Sequence, residues 1–237
     1  MQQRIQAAVD EIGTVLLGKE QQIRLALCCL IAGGHLLIED LPGMGKTTLA
    51  HALARVFGLD FNRIQFTSDL LPADILGVSI FEQQSGAFTF HPGPIFRQMI
   101  LADEINRTTP KTQSALLEAM EEGQVTVEGE TRPLPSPFFV IATQNPVSLS
   151  GTFPLPESQL DRFLMRIGIG YPDPKAERAL LERSAEFDRG DFITQIMNVD
   201  DLVAMRSAAN QVSLSPLLLD YVQRIVAHTR DSEAFHF

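Results

Sequence analysis

Three clusters of residues in this chain have types and spacings that suit phosphate chemistry. The first is Leu36 to Thr47, LLIEDLPGMGKT, where a short apolar strand runs into a glycine-rich turn ending in Gly45, Lys46 and Thr47. The backbone N–H groups of such a turn wrap phosphate oxygens, and its lysine reaches the β and γ groups of a nucleotide. Pro42 and Gly43 fix and then release the backbone, so that Gly43, Gly45 and Lys46 aim their N–H groups inward, with Met44 and Thr48 completing the stretch expected to touch the nucleotide. The strict pattern G-x-x-x-x-G-K-[ST] has glycine where this chain has Asp40, a residue type that tolerates left-handed backbone. A helix opening near Gly45 adds its positive dipole end. Thr47 offers a hydroxyl to Mg²⁺, an ion that binds few protein groups and takes phosphate oxygens for the rest. The competing reading is an ordinary Gly/Pro turn before a helix.

The second cluster is Met99 to Glu104, MILADE, an apolar run of strand length closed by two carboxylates. Two negative charges at the end of a buried strand are costly without a positive partner. Mg²⁺ held through water by Asp103 meets that need and leaves Glu104 to polarise an attacking water. A solvated acidic loop is the alternative. The third cluster follows the run Phe138 to Thr143, where Gln144 and Asn145 fall at a strand's carboxyl end, the edge at which parallel sheets carry their functional groups. An amide there bonds both water and phosphate without adding charge, although Asn before Pro is also simply a good turn. Farther on, Pro156 to Phe163 (PESQLDRF) reads as a short helix carrying Arg162. That arginine either reaches the γ-phosphate bound by a neighbouring subunit or forms a local salt bridge with Asp161 or Glu157.

Taken together, LPGMGKT, LADEINR, KTQSALLEAMEEGQVTV, ATQNP and PESQLDRF resemble the MoxR family of AAA+ ATPases over nearly the whole chain. The resemblance implies a MgATP-driven, ring-forming, chaperone-like ATPase, expected to be a hexamer, commonly paired with a partner carrying a von Willebrand A domain. It makes Lys46 and Thr47 Walker A residues, Asp103 and Glu104 Walker B, Asn145 the first sensor and Arg162 a finger acting in trans. It puts Leu16, Leu17 and Gly18 beside adenine, where the residues alone indicate only a helix end. It also implies an insertion after the second core strand and a hairpin before the first sensor.

The elements that must position these groups can be read from periodicity. Gln21 to Ala32 forms a helix stopped by Gly33 and Gly34, and His35 to Glu39 is the strand feeding the turn. Thr109 is an N-cap with Pro110 at the first helical position, and Gly123 ends that helix. Val78 to Phe90 reads as two strands around Ser85 and Gly86, and Gln124 to Leu134 as a second hairpin turning near Gly129. Family analogy aims both hairpins at a ring pore; otherwise they are surface hairpins packed on a helix. The fold class expected is α/β, an AAA+ P-loop core over residues 1–170 with a mostly parallel sheet between helices, followed by an all-helical lid over 171–237. In the lid Pro174 starts a helix running through Arg189, Asp200 caps another, and Ser215-Pro216 opens a third ending near Arg230. Tyr171 to Pro174 forms the hinge. Related ATPases continue into a helix with a second sensor arginine, and this chain reaches Phe237 where that segment is expected, so an incomplete lid is anticipated.

Composition narrows the class further. With 237 residues, 45% hydrophobic, the chain can build one large core and a smaller unit. Nineteen Lys and Arg against 29 Asp and Glu give a formal charge of −10, which argues against a nucleic-acid motor. The apolar stretch Leu25 to Ile31 is too short to span a bilayer, and the acid-bearing N-terminus is no secretory signal; a cytoplasmic protein is expected. Cys28 and Cys29, adjacent in one helix, make no disulfide framework. Two further readings stay open: a slow-hydrolysing nucleotide switch, and a chelatase-type or DNA-related AAA+ subunit.

Overall fold

The computed structural model describes residues 1–84, 86–146, 151–182 and 193–231. Two helices, α1 (Gln2–Gly13) and α2 (Glu20–Ala32), precede strand β1 (Leu36–Glu39), and helix α3 (Lys46–Phe57) leads to β2 (Phe61–Gln65). Then come α4 (Pro72–Leu76), the hairpin β3 (Gly77–Glu82) and β4 (Ala87–Pro92), and strand β5 (Met99–Asp103). Helix α5 (Pro110–Glu122) precedes a second hairpin, β6 (Gln124–Val127) and β7 (Glu130–Pro133), followed by β8 (Phe139–Gln144), α6 (Glu157–Leu160) and β9 (Met165–Ile167). Helices α7 (Pro174–Glu182), α8 (Val199–Asn210) and α9 (Pro216–Asp231) complete the order.

Strands β2, β5, β8, β1 and β9 form one sheet in that spatial order, and every pairing in it is parallel. Alternation along the strands fills both faces. Leu36, Ile38, Leu101 and Ile141 join α1, α2 and α3 in one core, while Leu37, Ile100, Ala102 and Val140 face a second core with Leu116, Leu117 and Met120 of α5. All five residues of β5 are buried, as a central strand covered on both sides must be. Leu202 and Met205 of α8 enter the first core beside Ile12 and Leu30, so the packing of α8 is continuous with that of α1 to α3. Arg206 donates to Leu30 O at 3.1 Å, near the C-terminal end of α2, and Arg4 donates to Asp201 at 2.5 and 2.6 Å. By contrast α9 exposes Leu217, Leu219, Tyr221 and Val222. Among the described residues no helix is long and apolar enough to cross a membrane.

Several local expectations change. The cap of α8 is Asn198, not Asp200: Asn198 Oδ1 accepts from Asp201 N and Asp201 returns a bond to Asn198 N, a reciprocal box that Asp200 sits too late to make. Thr109 holds the N-cap position of α5, yet its hydroxyl lies against that of Thr112, at 3.2 Å, and not on a backbone N–H. Helix α7 is described to Glu182, and Ser85, Arg189 and the terminal residues 234–237 lie outside the described residues.

His35 shows how the sheet is tied to its covering helix. Its Nδ1 accepts from Val140 N at 3.0 Å and its Nε2 contacts Met120 O at 3.2 Å, a pair of bonds that fits only the neutral tautomer protonated at Nε2. Burial holds its pKa below the ordinary histidine value, against the raising effect of the Met120 carbonyl. A lowered folded pKa means the unfolded chain takes up a proton first as pH falls, so this stability is full above about pH 6.5 and is lost as pH drops toward the depressed value. Thermal melts between pH 8 and 5 are expected to show this loss in the wild type. His35→Ala should melt lower by an amount equivalent to about 1–3 kcal/mol at pH 8 and have a shallower pH dependence; parallel curves would contradict the assignment.

Candidate nucleotide site

Parallel pairing with near-level registers brings the carboxyl ends of four strands to one edge: Glu39 lies opposite Gln144, Ala102 opposite Ala142, and Gln65 opposite Asp103. The residues that follow those ends line one cavity of about 850 Å³, a size suited to a small-molecule ligand. One wall is the turn from Pro42 to Thr48, including Gly43, Met44, Gly45, Lys46 and Thr47. Asp103, Glu104, Thr143 and Asn145 line the same cavity, as do the apolar Val15, Leu16 and Leu17 with Lys19 beside them.

The turn's shape depends on two glycines with positive φ, Gly43 at 82° and Gly45 at 85°. A Cβ on Gly45 would stand 2.7 Å from Leu16 Cδ1, whereas one on Gly43 would meet nothing within 4 Å, so Gly43 faces open space. Helix α3 starts immediately after Gly45, presenting its N-terminus to the cavity. The Lys46 ammonium donates to Asp40 O and Leu41 O, both at 2.7 Å, and so folds back along its own turn. Burial lowers its pKa, outweighing the raising influence of Asp40, Asp103 and Glu104.

Asp40 is not part of the cavity lining. Its carboxylate instead accepts from Leu41 N at 2.8 Å, Ile169 N at 2.7 Å and Gly170 N at 2.6 Å. Burial pushes its pKa up, but these backbone donors and Lys46 together leave it below the usual carboxylate range. Gly18 also stays out of the lining: at φ 69°, with a Cβ position 2.9 Å from Ala176 Cβ, it permits close packing of the N-terminal segment on α7.

The acidic pair has positive neighbours of a kind the sequence reading did not supply. Arg63 of β2 donates to Asp103 Oδ2 through Nε at 3.1 Å and Nη2 at 2.5 Å, and Arg107 donates to Glu104 Oε2 at 2.8 Å. Gln65 bridges the two pairs, accepting from Arg63 at 3.0 Å and donating to Glu104 at 3.1 Å. Thr143, fully buried, donates to Asp103 Oδ1 at 2.6 Å and accepts from Glu104 N at 2.9 Å, so one hydroxyl fixes both acids. Glu104 itself adopts a left-handed backbone, φ 57°, which is uncommon for a non-glycine residue. Asn145 lines the same cavity, its carbonyl accepting from Asn106 Nδ2 at 3.3 Å.

Arg162 does not line the cavity. It donates to Leu117 O at 2.9 Å and pairs with the Glu121 carboxylate, both on α5, in place of the local partners Asp161 and Glu157. Arg63, Gln65, Arg107, Thr143 and Glu121 were not singled out from sequence. For Arg63 and Gln65 a signal was present: polar residues two apart on a strand share one face.

The model of the ATPase family associated with various cellular activities (AAA) matches residues 35–165. The chain is 48% identical over 223 residues to the uncharacterized protein YeaC of Bacillus subtilis, covering 94% of this chain and 70% of that one. It is 42% identical over 229 residues to Chaperone MoxR1 of Mycobacterium tuberculosis, covering 97% of this chain and 60% of that one. A crystal structure from Cytophaga hutchinsonii, described as a candidate ATPase, superposes with a TM-score of 0.83 at 42% identity, over 96% of this chain and 69% of that one. By fold and sequence this is an AAA+ protein, a parallel α/β ATPase core with helices after it. Within that class the chain belongs to the MoxR family, and it spans 60% to 70% of the length of the two curated relatives described.

The two supports of Asp103 should differ in weight. Arg63 is half exposed, so Arg63→Gln is expected to cost only about 1 kcal/mol. Thr143→Val strands a buried carboxylate oxygen and a backbone N–H and should cost more, about 2–3 kcal/mol. Urea denaturation midpoints at constant m report both, and a larger loss for Arg63→Gln would reverse the ranking.

Proposed function

We propose that this chain binds and hydrolyses MgATP, assembles into a ring and uses the cycle to remodel a protein partner. The observation that carries the reading is that one cavity is lined by Lys46, the Asp103–Glu104 pair and Asn145 together. Gly43 and Gly45, the N-terminus of α3 and Lys46 present the donors that polyphosphate oxygens require. Val15, Leu16 and Leu17 offer an apolar surface for a purine.

Thr47 and Asp103 both line the cavity and fit Mg²⁺, which is satisfied by one hydroxyl and one carboxylate when phosphates and water complete its shell. Bound there, the ion supplies neutralising charge to phosphate oxygens. In this reading Glu104 orients and polarises the attacking water, and Asn145 holds that water against the γ-phosphate. Arg162 acts on the nucleotide of a neighbouring subunit; it does not line the chain's own cavity, and to reach outward it must release Leu117 O and the Glu121 carboxylate of α5. The exposed aromatics Phe81 and Phe88 on the first hairpin suit contact with a protein client. The relative named a chaperone supports remodelling, and the partner class proposed, from the family resemblance alone, is a von Willebrand A domain protein in the cytoplasm.

A second reading, a slow nucleotide-gated switch, is favoured by one feature: both acids are engaged by arginines. Glu104→Gln separates the two. The hydrolase reading expects turnover to fall at least about 100-fold with ATP still bound in calorimetry; no turnover from the wild type would leave only the switch. Arg162→Ala should lose about 10³-fold in turnover and keep nucleotide affinity, and mixing it with Lys46→Ala protein should restore part of the activity. Mixed rings that stay inactive at every ratio would rule out action across subunits.

A further inference from the structure

Asp40 occupies the one position where the turn departs from the strict glycine pattern, and it makes contacts in three directions. Its carbonyl accepts from the Lys46 ammonium at 2.7 Å. Its N–H donates to Gln144 O at 3.2 Å, one residue before Asn145. Its carboxylate, as described, grips the N–H groups of Ile169 and Gly170, which follow β9 and lead into Tyr171 and α7. A glycine at position 40 would have neither the charge nor the reach for that last contact.

The same segment is held from the other side. Lys19, buried, donates to Tyr171 O at 2.5 Å, and Asp173 Oδ1 caps the start of α7 through Ala176 N at 2.7 Å. Gly170 sits at φ 68°, a conformation that a side chain would strain. The connection between sheet and α7 is therefore short, tightly turned and anchored at Asp40, whose neighbouring carbonyls also receive the phosphate-seeking lysine.

We propose that Asp40 is a positioning residue that couples occupancy of the phosphate turn to the hinge before α7. This rests on the nucleotide reading above. When a polyphosphate competes for the Lys46 ammonium, the Asp40 and Leu41 carbonyls lose a charged donor. The peptide units that carry the Asp40 carboxylate then readjust, and Ile169 and Gly170 move with them. A carboxylate bonded to two consecutive N–H groups transmits such a shift because charge-assisted bonds are short and directional. A glycine at the same position leaves the two segments free to move independently.

Amide hydrogen exchange on the whole chain tests this, comparing wild type, Asp40→Gly and Asp40→Asn, each free and with ADP and Mg²⁺. In the free proteins the Ile169 and Gly170 amides are expected to exchange about tenfold faster in Asp40→Gly than in wild type, with Asp40→Asn between. With ADP, the wild type should change its exchange at residues 169–171, and Asp40→Gly should bind ADP yet show no such change. Equal exchange at Ile169 and Gly170 in the free wild type and Asp40→Gly, or a full hinge response to ADP in Asp40→Gly, overturns the proposal. Wild type that binds ADP with an unresponsive hinge overturns the coupling and leaves the nucleotide reading intact; wild type that binds no ADP overturns both. If circular dichroism shows Asp40→Gly unfolded, Asp40→Asn is held to the same criteria, with about a threefold effect expected.

Discussion

A charged carboxylate at the end of a fully buried strand is the constraint around which this site is organised. Asp103 is almost wholly shielded from water, and an ionised group in that position is tolerated only if its oxygens are taken up by donors. Thr143 supplies one from the adjacent strand and Arg63 supplies two from the strand on the other side. Both strands must therefore lie parallel to β5 and in the observed register. A one-residue slip of β8 would turn the Thr143 hydroxyl to the opposite face and leave Asp103 unsatisfied. The electrostatic requirement and the alternating apolar contacts of the two cores select the same alignment, which is the kind of agreement between levels that gives a single fold.

The same alignment creates the cavity. Because β1, β5 and β8 end at one edge, their following turns converge there, and lysine, carboxylates and amide meet without any one segment carrying them all. The cations around the acids give the free chain an internally neutralised centre. Asp103 leans on Arg63, Glu104 on Arg107, and Gln65 joins the two pairs. Any cation that approaches these acids must compete with the arginines that already hold them.

Much of this was legible in the sequence because it is local. The phosphate turn, the helix behind it and the apolar runs before Asp103 and Asn145 are encoded by neighbouring residues through glycine positions, strand-length apolar stretches and a helix start. The hairpins around Gly86 and Gly129 were legible for the same reason, being pairings of adjacent segments. Misreadings arose where a polar residue had several possible partners. Asp200 and Asn198 are both fair caps, and only the reciprocal bond with Asp201 distinguishes them. For Arg162 the local alternative to a finger pointed to Asp161 or Glu157, and the acid it pairs with is Glu121, on the α5 that packs beside α6.

By itself, then, the amino-acid sequence determined the kind of elements, their order and the chemical types gathered at their ends, since these depend on periodicity, turn stereochemistry and side-chain identity within a few residues. Tertiary structure alone decided which groups satisfy one another. Arg63 meets Asp103 across 40 residues of chain and Asp40 meets Gly170 across 130. Such contacts arise from strand order and register, which no short window of sequence contains. The physical reason is that a buried charge specifies that it must have partners but not which ones, and the packing of the whole sheet makes that choice.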